Sequence, residues 1–187
     1  MPFIPTNLKE VIIFCPDIYE DERGYFFESY NEKLFAANGI TAKFVQDNQS
    51  FSKYGVLRGL HYQHEPFAQA KLVRVISGAI FDAAVDIRKN SPDYGKWTGE
   101  ILSADNKKQM FIPHGFAHGF VVLSDCAEVI YKCDNFYSPA HNAGIIYNDK
   151  TIGINWPIDL KDVMLSAKDG KNPTLDQAEN NFIYGQI

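Results

Sequence analysis

Two chemically different faces can be separated in the stretch AIFDAAVDIR, residues 79–88. Asp82 and Asp86 fall on one side of an extended chain. The opposite side carries apolar side chains, namely Phe81, Ala83, Val85 and Ile87. This period of two residues predicts a β-strand.

Short runs rich in β-branched and aromatic residues fill the chain from residue 11 to about residue 137, and Gly, Pro, Asn and Asp separate them. Such runs predict strands joined by turns. Besides 79–88, the predicted strands are VIIF (11–14), RGYFFESY (23–30), FVQDNQSFS (44–52), VLRGLHYQ (56–63), KLVRVISG (71–78), KQMFIP (108–113), GFVVLS (119–124) and AEVIYKCDNFY (127–137).

Helical patterns are scarce. The segment NEKLFAANG (31–39) predicts a helix that stops at Gly39. The polar tail from 161 to 187 predicts irregular structure, with a short helix around 174–181. No linker divides the chain, so residues 1–187 predict a single domain. Many short strands with frequent turns indicate an all-β sandwich or barrel, and we expect a jelly roll that binds its ligand in the interior.

Composition narrows the possible partners. The net charge of −5 argues against nucleic acid and against a membrane surface, but a few converging cations could still bind a small anion. The three cysteines form no CxxC pair, which indicates reduced thiols in a cytoplasmic protein rather than a disulfide framework or a zinc knuckle. We find neither a signal peptide at the N-terminus nor an apolar stretch of membrane-spanning length.

The stretch IPHGFAHGF raises the question of a metal site, because it places His114 and His118 four residues apart. A metal-binding barrel draws two or three histidines and a carboxylate from its interior, and GLHYQH could add His61 and His64. Strand geometry puts the latter two on opposite faces, and the proline and glycines of IPHGFAHGF disfavour a helix. The metal interpretation is therefore the weaker one, although the pattern leaves it open.

Acid–base chemistry is the alternative. The motif VLRGLHYQ brings an imidazole, His61, close to a cation, and imidazole titrates near neutral pH. Lys71, Tyr131 and the pair Lys168–Asp169 could complete such a site, with the carboxylate fixing the tautomer of the histidine. Packed, hydrogen-bonded residues would give the same pattern, so these residues alone predict only a β-barrel with a polar interior.

Seven motifs occur in order along the chain: DERGYFFE, FVQDNQSFS, GVLRGLHYQ, AKLVRVISGAIFDAAVDIRKNSPDYGKW, IPHGFAHGF, YKCDNFYSP and IGINWP. Together they resemble the dTDP-4-dehydrorhamnose 3,5-epimerase (RmlC) family over about residues 3–175. The resemblance implies a cupin-like jelly roll, a cofactor-independent and metal-free isomerase, a homodimer and a dTDP-4-keto-6-deoxy sugar substrate. It also implies a place in L-rhamnose and O-antigen biosynthesis.

The resemblance further implies roles for individual residues. His61 matches the base, Asp169 the carboxylate paired with it, Lys71 the residue near the C4 oxygen and Tyr131 the proton donor on the other sugar face. Tyr137 matches the residue that stacks on thymine. The remaining nucleotide-sugar contacts match Arg23, Glu28, Gln46, Asn48, Arg58, His118 and Lys168, of which Arg23 and Glu28 would cross to the partner subunit.

Three residues depart from the family pattern, and regular strand geometry conflicts with two of the implied roles. Asn142, Ala143 and Ile146 replace a Glu and two Arg that the family commonly has, so an epimerase acting on C3 alone or C5 alone, or on a related nucleotide sugar, is the second hypothesis. A metal-dependent cupin oxygenase and a non-catalytic sugar-nucleotide binding module are further alternatives. Regular alternation would put Arg58 and His61 on opposite faces, so we expect an irregularity near Gly59. We expect His114 to be a surface turn residue.

Overall fold

The computed structural model describes residues 2–186, so Met1 and Ile187, the ends of the predicted domain and tail, lie outside the described residues. The strands are β1 (Phe3–Pro5), β2 (Ile12–Phe14), β3 (Tyr19–Asp21), β4 (Gly24–Phe26), β5 (Gln46–Lys53), β6 (Leu57–Gln63), β7 (Lys71–Ser77), β8 (Ala79–Asp86), β9 (Trp97–Ser103), β10 (Gln109–Ile112), β11 (Phe116–Val122), β12 (Cys126–Cys133) and β13 (Asn142–Gly144). One α-helix, α1 (Glu32–Ala37), and three short 3₁₀ helices, Pro139–His141, Leu160–Asp162 and Asp169–Lys171, complete this part of the chain.

Two antiparallel sheets face each other. The six-stranded sheet has the order β1-β2-β10-β7-β12-β5, and the five-stranded sheet has the order β13-β6-β11-β8-β9. Apart from the pairs β1-β2 and β8-β9, neighbouring strands are distant in sequence, as in a jelly roll, and the predicted all-β fold is confirmed. Apolar side chains from both sheets, including Val73, Ile80, Phe120 and Val129, fill the space between them. No helix within residues 2–186 is long and apolar enough to cross a membrane.

Strand β8 is buried on both faces. Ile80 and Ala84 belong to the core between the sheets, so Asp82, which alternates with them, also points inward. Phe81, Ala83 and Val85 instead pack beneath an outer layer formed by the C-terminal part of the chain. Trp156, Leu175 and Phe182 are the large buried members of that layer. The apolar face seen in the sequence therefore meets the outer layer, and the aspartate face meets the barrel interior.

The helix prediction is confirmed in α1, where the Asn31 side chain accepts a hydrogen bond from the Leu34 N–H and Gly39 adopts a φ of +85° just beyond the end. The single strand predicted at 23–30 is wrong. Its first part is one arm of a hairpin between β3 and β4, because Gly24 adopts a φ of +127° at the turn. Strand β9 has no counterpart among the predicted strands.

The helix predicted around 174–181 is also wrong. The chain makes a single turn there, in which the N–H groups of Gln177 and Ala178 both donate to Thr174 O. The Leu175 N–H donates to the buried carboxylate of Asp149 at 2.8 Å, which fixes the turn to the preceding loop. Tertiary contacts thus set the path of this segment.

Candidate active site

A cleft opens at one end of the barrel between the two sheets. It has an inner chamber of about 280 Å³ and an outer chamber of about 460 Å³. His61, Tyr137 and Asn142 line both chambers. The inner chamber adds Gln46, Asn48, Lys71 and Tyr131, and the outer chamber adds Arg58, Lys168 and Asp169.

Nine of the twelve residues assigned from the resemblance line the cleft, His118 lies immediately behind it, and Arg23 and Glu28 lie elsewhere.

His61 sits on β6 and forms a hydrogen bond to a carboxylate from the C-terminal segment. Its Nε2 lies 2.6 Å from Asp169 Oδ1. Burial raises the pKa of Asp169. The hydrogen bonds from the His61 ring, the Ser166 side chain and the Gly59 backbone outweigh this effect and hold the pKa of Asp169 below its usual value. Asp169 is therefore an acceptor, and Nε2 donates. Nδ1 of the neutral ring is then free to accept a proton.

Gly59 allows Arg58 and His61 to reach the same cleft. Between His118 and Phe120 of β11 the partners on β6 jump from His61 to Arg58, so β6 carries one extra residue. The predicted irregularity near Gly59 is thus confirmed. Gly59 has a φ of +138°, and a Cβ there would lie 2.5 Å from the Cα of Gly119. The Arg58 Nε donates to Ser52 Oγ at 3.1 Å, which fixes the guanidinium at the cleft.

The six-stranded sheet forms the opposite wall. Lys71 on β7 lies directly across from Cys133 on β12, and Tyr131 shares the inward face of Cys133. Burial lowers the pKa of Lys71 below its ordinary value, although Cys133 and Asp82 act in the other direction. Burial raises the pKa of Tyr131, so its phenol keeps its proton at neutral pH. A phenol that can donate a proton and the amino group of Lys71 therefore face His61 across the inner chamber.

A second histidine–carboxylate pair supports this arrangement from behind. His118 pairs with His61 across β11 and β6, and its Nε2 lies 2.6 Å from Asp82 Oδ1. Both side chains are buried, and His118 does not line the cleft in this structure. Sequence reasoning missed Asp82 as part of the site. The available signal was a carboxylate in the middle of a strand whose other residues, apart from Asp86 at its end, are apolar.

Tyr137 lies on a segment that polar side chains fasten to the sheet. Its N–H donates to Gln46 Oε1 at 3.0 Å, and Gln46 in turn donates to Asn48 Oδ1. The ring of Tyr137 is exposed at the rim shared by both chambers. The rim therefore offers an open aromatic face beside the polar cleft.

Arg23 and Glu28 do not line this cleft. Arg23 lies at the turn of the β3–β4 hairpin, and its guanidinium donates to the Asp21 carboxylate. Glu28 accepts a hydrogen bond from the Asn31 side chain. Within one copy of the chain, these two residues are separate from the other ten.

The histidines of IPHGFAHGF belong to different clusters. His114 lies at the turn before β11, as expected, but it is half-buried and bonded to Asp134, whereas His118 is bonded to Asp82. Within residues 2–186 no group of three or more His, Cys, Asp or Glu side chains has the arrangement of a metal site. The two imidazoles therefore do not form a joint site.

Comparisons with known proteins agree with this geometry. The family model described as dTDP-4-dehydrorhamnose 3,5-epimerase matches residues 5–177. The chain is 56% identical over 170 residues to the dTDP-4-dehydrorhamnose 3,5-epimerase of Shigella flexneri, covering 90% of this chain and 93% of the relative.

Solved structures are similar as well. A dTDP-6-deoxy-D-glucose-3,5-epimerase from Legionella pneumophila, in complex with dTDP-4-keto-L-rhamnose, has a TM-score of 0.91 and 49% identity, covering 94% of this chain and 93% of that one. A 3'-monoepimerase from Streptomyces bikiniensis, in complex with dTDP-quinovose, has a TM-score of 0.85 and 32% identity, covering 92% and 87%. The chain therefore belongs to the dTDP-4-dehydrorhamnose 3,5-epimerase family, a family of isomerases.

Proposed function

We propose that this protein converts dTDP-4-dehydro-6-deoxyglucose into dTDP-4-dehydro-L-rhamnose by inverting the sugar at C3 and C5. One observation carries the assignment to proton-transfer chemistry: the His61–Asp169 pair faces Lys71 and Tyr131 across a single cleft. The similarity to 3,5-epimerases over most of the chain supports the choice of substrate.

His61 is the proposed base. The C4 ketone acidifies the protons on C3 and C5, because the carbanion left behind delocalises into the carbonyl as an enolate. Nδ1 of His61 takes the proton, while Asp169 holds Nε2 and stabilises the imidazolium that forms. Lys71 stabilises the negative charge on the C4 oxygen.

Tyr131 is the proposed proton donor. It lies on the sheet opposite His61, so it returns a proton to the other sugar face and inverts the carbon. Both acidic carbons flank one ketone, so one base and one donor can serve them in turn, once His61 has released its proton to solvent and Tyr131 has taken one up. The reaction consists of proton transfers only and needs no redox cofactor or metal.

The nucleotide contacts follow from charge and shape. Arg58 and Lys168 in the outer chamber suit the diphosphate, and the exposed ring of Tyr137 suits stacking on thymine. Gln46 and Asn48 offer neutral hydrogen bonds. His118, buried with Asp82 beneath His61, supports the floor of the cleft.

The proposed working unit is a homodimer in the cytoplasm. In it, the partner subunit's Arg23 and the partner subunit's Glu28 complete each cleft, which explains why neither lines the cleft of its own chain. The product would supply L-rhamnose for surface glycans such as O-antigen.

A second candidate is inversion at only one carbon. The similarity to a 3'-monoepimerase favours it, as does Asn142, a neutral residue that lines both chambers. In that case the inner chamber presents one of the two carbons to His61.

The test follows solvent deuterium into the substrate by NMR in deuterated water. We expect label at both C3 and C5 with the wild-type protein. His61→Gln should slow exchange at both carbons by about 10²- to 10⁴-fold, since it removes the base. His64→Gln is the matched control, because His64 lies three residues away on the chain and outside the cleft.

Label at one carbon only would select the mono-epimerase. Full exchange in His61→Gln would show that another group is the base. A protein that binds dTDP but exchanges neither proton would be a binding module or would act on a different sugar.

A further inference from the structure

His114 lies outside the cleft, yet its imidazole joins two segments at the rim. Nε2 lies 2.9 Å from Asp134 Oδ2, and Nδ1 lies 3.6 Å from Glu65 Oε1. Asp134 begins the segment 134–138, which carries Tyr137, and Glu65 begins the loop 65–70. An imidazolium presents N–H groups on both nitrogens, so the protonated ring suits both carboxylates.

The loop and the segment are fastened to each other. Asp134 Oδ1 accepts the Ala70 N–H at 2.7 Å. The Asn135 side chain donates to Pro66 O at 3.1 Å, and the Gln69 side chain donates to Asn135 O at 2.6 Å. A displacement of the loop 65–70 is therefore expected to displace the segment 134–138, and the reverse.

Gln63 extends this unit to the cleft. Its amide nitrogen donates to Phe67 O and to Phe136 O, and its amide oxygen accepts the Ser138 N–H at 2.7 Å. Phe136 and Ser138 flank Tyr137 in the chain. The aromatic ring at the rim thus depends on a network whose far end is His114.

The surroundings of His114 favour its charged form. Burial disfavours the charge, but the bond and charge of Asp134, together with Glu65, raise the pKa of His114 above its ordinary value. Glu10, Lys43 and Arg88 line the same groove, and Arg88 is already bonded to Asp86 and Glu10.

We propose that protonated His114 is a positioning residue that fixes segment 134–138 and the ring of Tyr137, so that nucleotide affinity falls when His114 loses its proton. The inference rests on the proposed function, because Tyr137 is the residue proposed to stack on thymine.

The probe is dTDP, with its Kd measured by calorimetry from about pH 6 to about pH 9. We expect the Kd of the wild type to rise about three- to fivefold more than that of His114→Gln, a modest effect because His114 is one-third exposed. The diphosphate itself titrates near the lower end of this range, but it does so equally with both proteins. His64→Gln, which removes an imidazole that does not contact Asp134, should follow the wild type.

Asp134→Asn provides a second variant. The amide oxygen can still accept the Ala70 N–H, while the charge beside His114 is lost. The change in Kd should therefore move to lower pH. In both variants the exchange rate at saturating substrate should equal that of the wild type, so that only KM changes.

Parallel Kd profiles for the wild type and His114→Gln would overturn the inference, as would a loss confined to kcat. A wild-type protein that shows the expected Kd profile but no exchange at C3 or C5 would instead overturn the proposed function and leave the positioning role standing.

Discussion

Asp169 fixes the orientation of the His61 ring and adds a negative charge to the cleft. Asp169→Asn places an amide beside Nε2, and an amide N–H donated to that atom would leave the proton on Nδ1, the nitrogen proposed to act as base. We expect deuterium exchange to slow by about 10²- to 10⁴-fold while the fold is retained. NMR exchange rates and circular dichroism measure the two properties.

Asp169→Asn should also change how the free energy of unfolding depends on pH. The folded-state pKa of Asp169 lies below its unfolded value of about 3.9, so the stabilisation is complete above that pH and is lost as pH falls through the folded pKa. Unfolding of Asp169→Asn should therefore depend less on pH in that acidic window. Asp162→Asn, an exposed carboxylate of the same segment, is the control. Equal acid sensitivity in all three proteins would contradict the pairing.

Local motifs in the sequence were sufficient to predict that some of the candidate site residues lie close together. The motif around His61 and the dipeptide Lys168–Asp169 were both recognisable, and the structure brings His61 and Asp169 within hydrogen-bond distance. The partner of His118 could not be recognised from the sequence, because Asp82 lies 36 residues away on another strand. The same holds for His114, whose carboxylates come from two separate loops.

At the scale of elements, the bulge in β6 determines which side chains reach the cleft. Gly59→Ala would put a Cβ 2.5 Å from the Gly119 Cα and 2.9 Å from the His118 carbonyl oxygen. Since backbone must move, we expect a loss of about 3 kcal/mol or more in the free energy of unfolding. Urea unfolding measures it.

Gly39→Ala separates the steric effect from the backbone effect. Gly39 also has a positive φ, but a Cβ there would meet nothing within 4 Å. Its loss should be about 1–2 kcal/mol, the cost of a left-handed conformation alone. Similar losses in the two variants would mean that β6 can relax around Gly59.

Helices and strands could likewise be predicted from the sequence where their pattern is local. Alternating strands and the capped helix α1 were found because their patterns are local. The β3–β4 hairpin and the turn at 174–178 were not found, since a glycine turn divides the one and a bond to Asp149 fixes the other. Strand β9 has a weak pattern of its own and depends on pairing with β8.

At the scale of the whole molecule, the β3–β4 hairpin exposes an unusual amount of aromatic surface. Tyr19, Tyr25 and Phe26 are 62%, 60% and 70% exposed. In the proposed homodimer a second copy covers them. Phe26→Glu should therefore shift the protein from dimer to monomer in analytical ultracentrifugation and reduce its activity, because Arg23 would no longer reach the other cleft.

Leu160→Glu is the matched control, since Leu160 is also exposed but lies in the C-terminal segment. It should leave both the dimer and the activity unchanged. A monomeric Phe26→Glu protein with full activity would show that each cleft is complete within one chain.

The C-terminal layer comes last in the chain and covers strands that precede it. Every described strand ends by residue 144, whereas Trp156, Asp169 and Phe182 come later. A nascent chain leaving the ribosome can therefore pair its strands while the outer face of β8 is still open to chaperones. Because the layer that closes this face also supplies the carboxylate bonded to His61, we expect proton-transfer chemistry to begin only after this layer has packed.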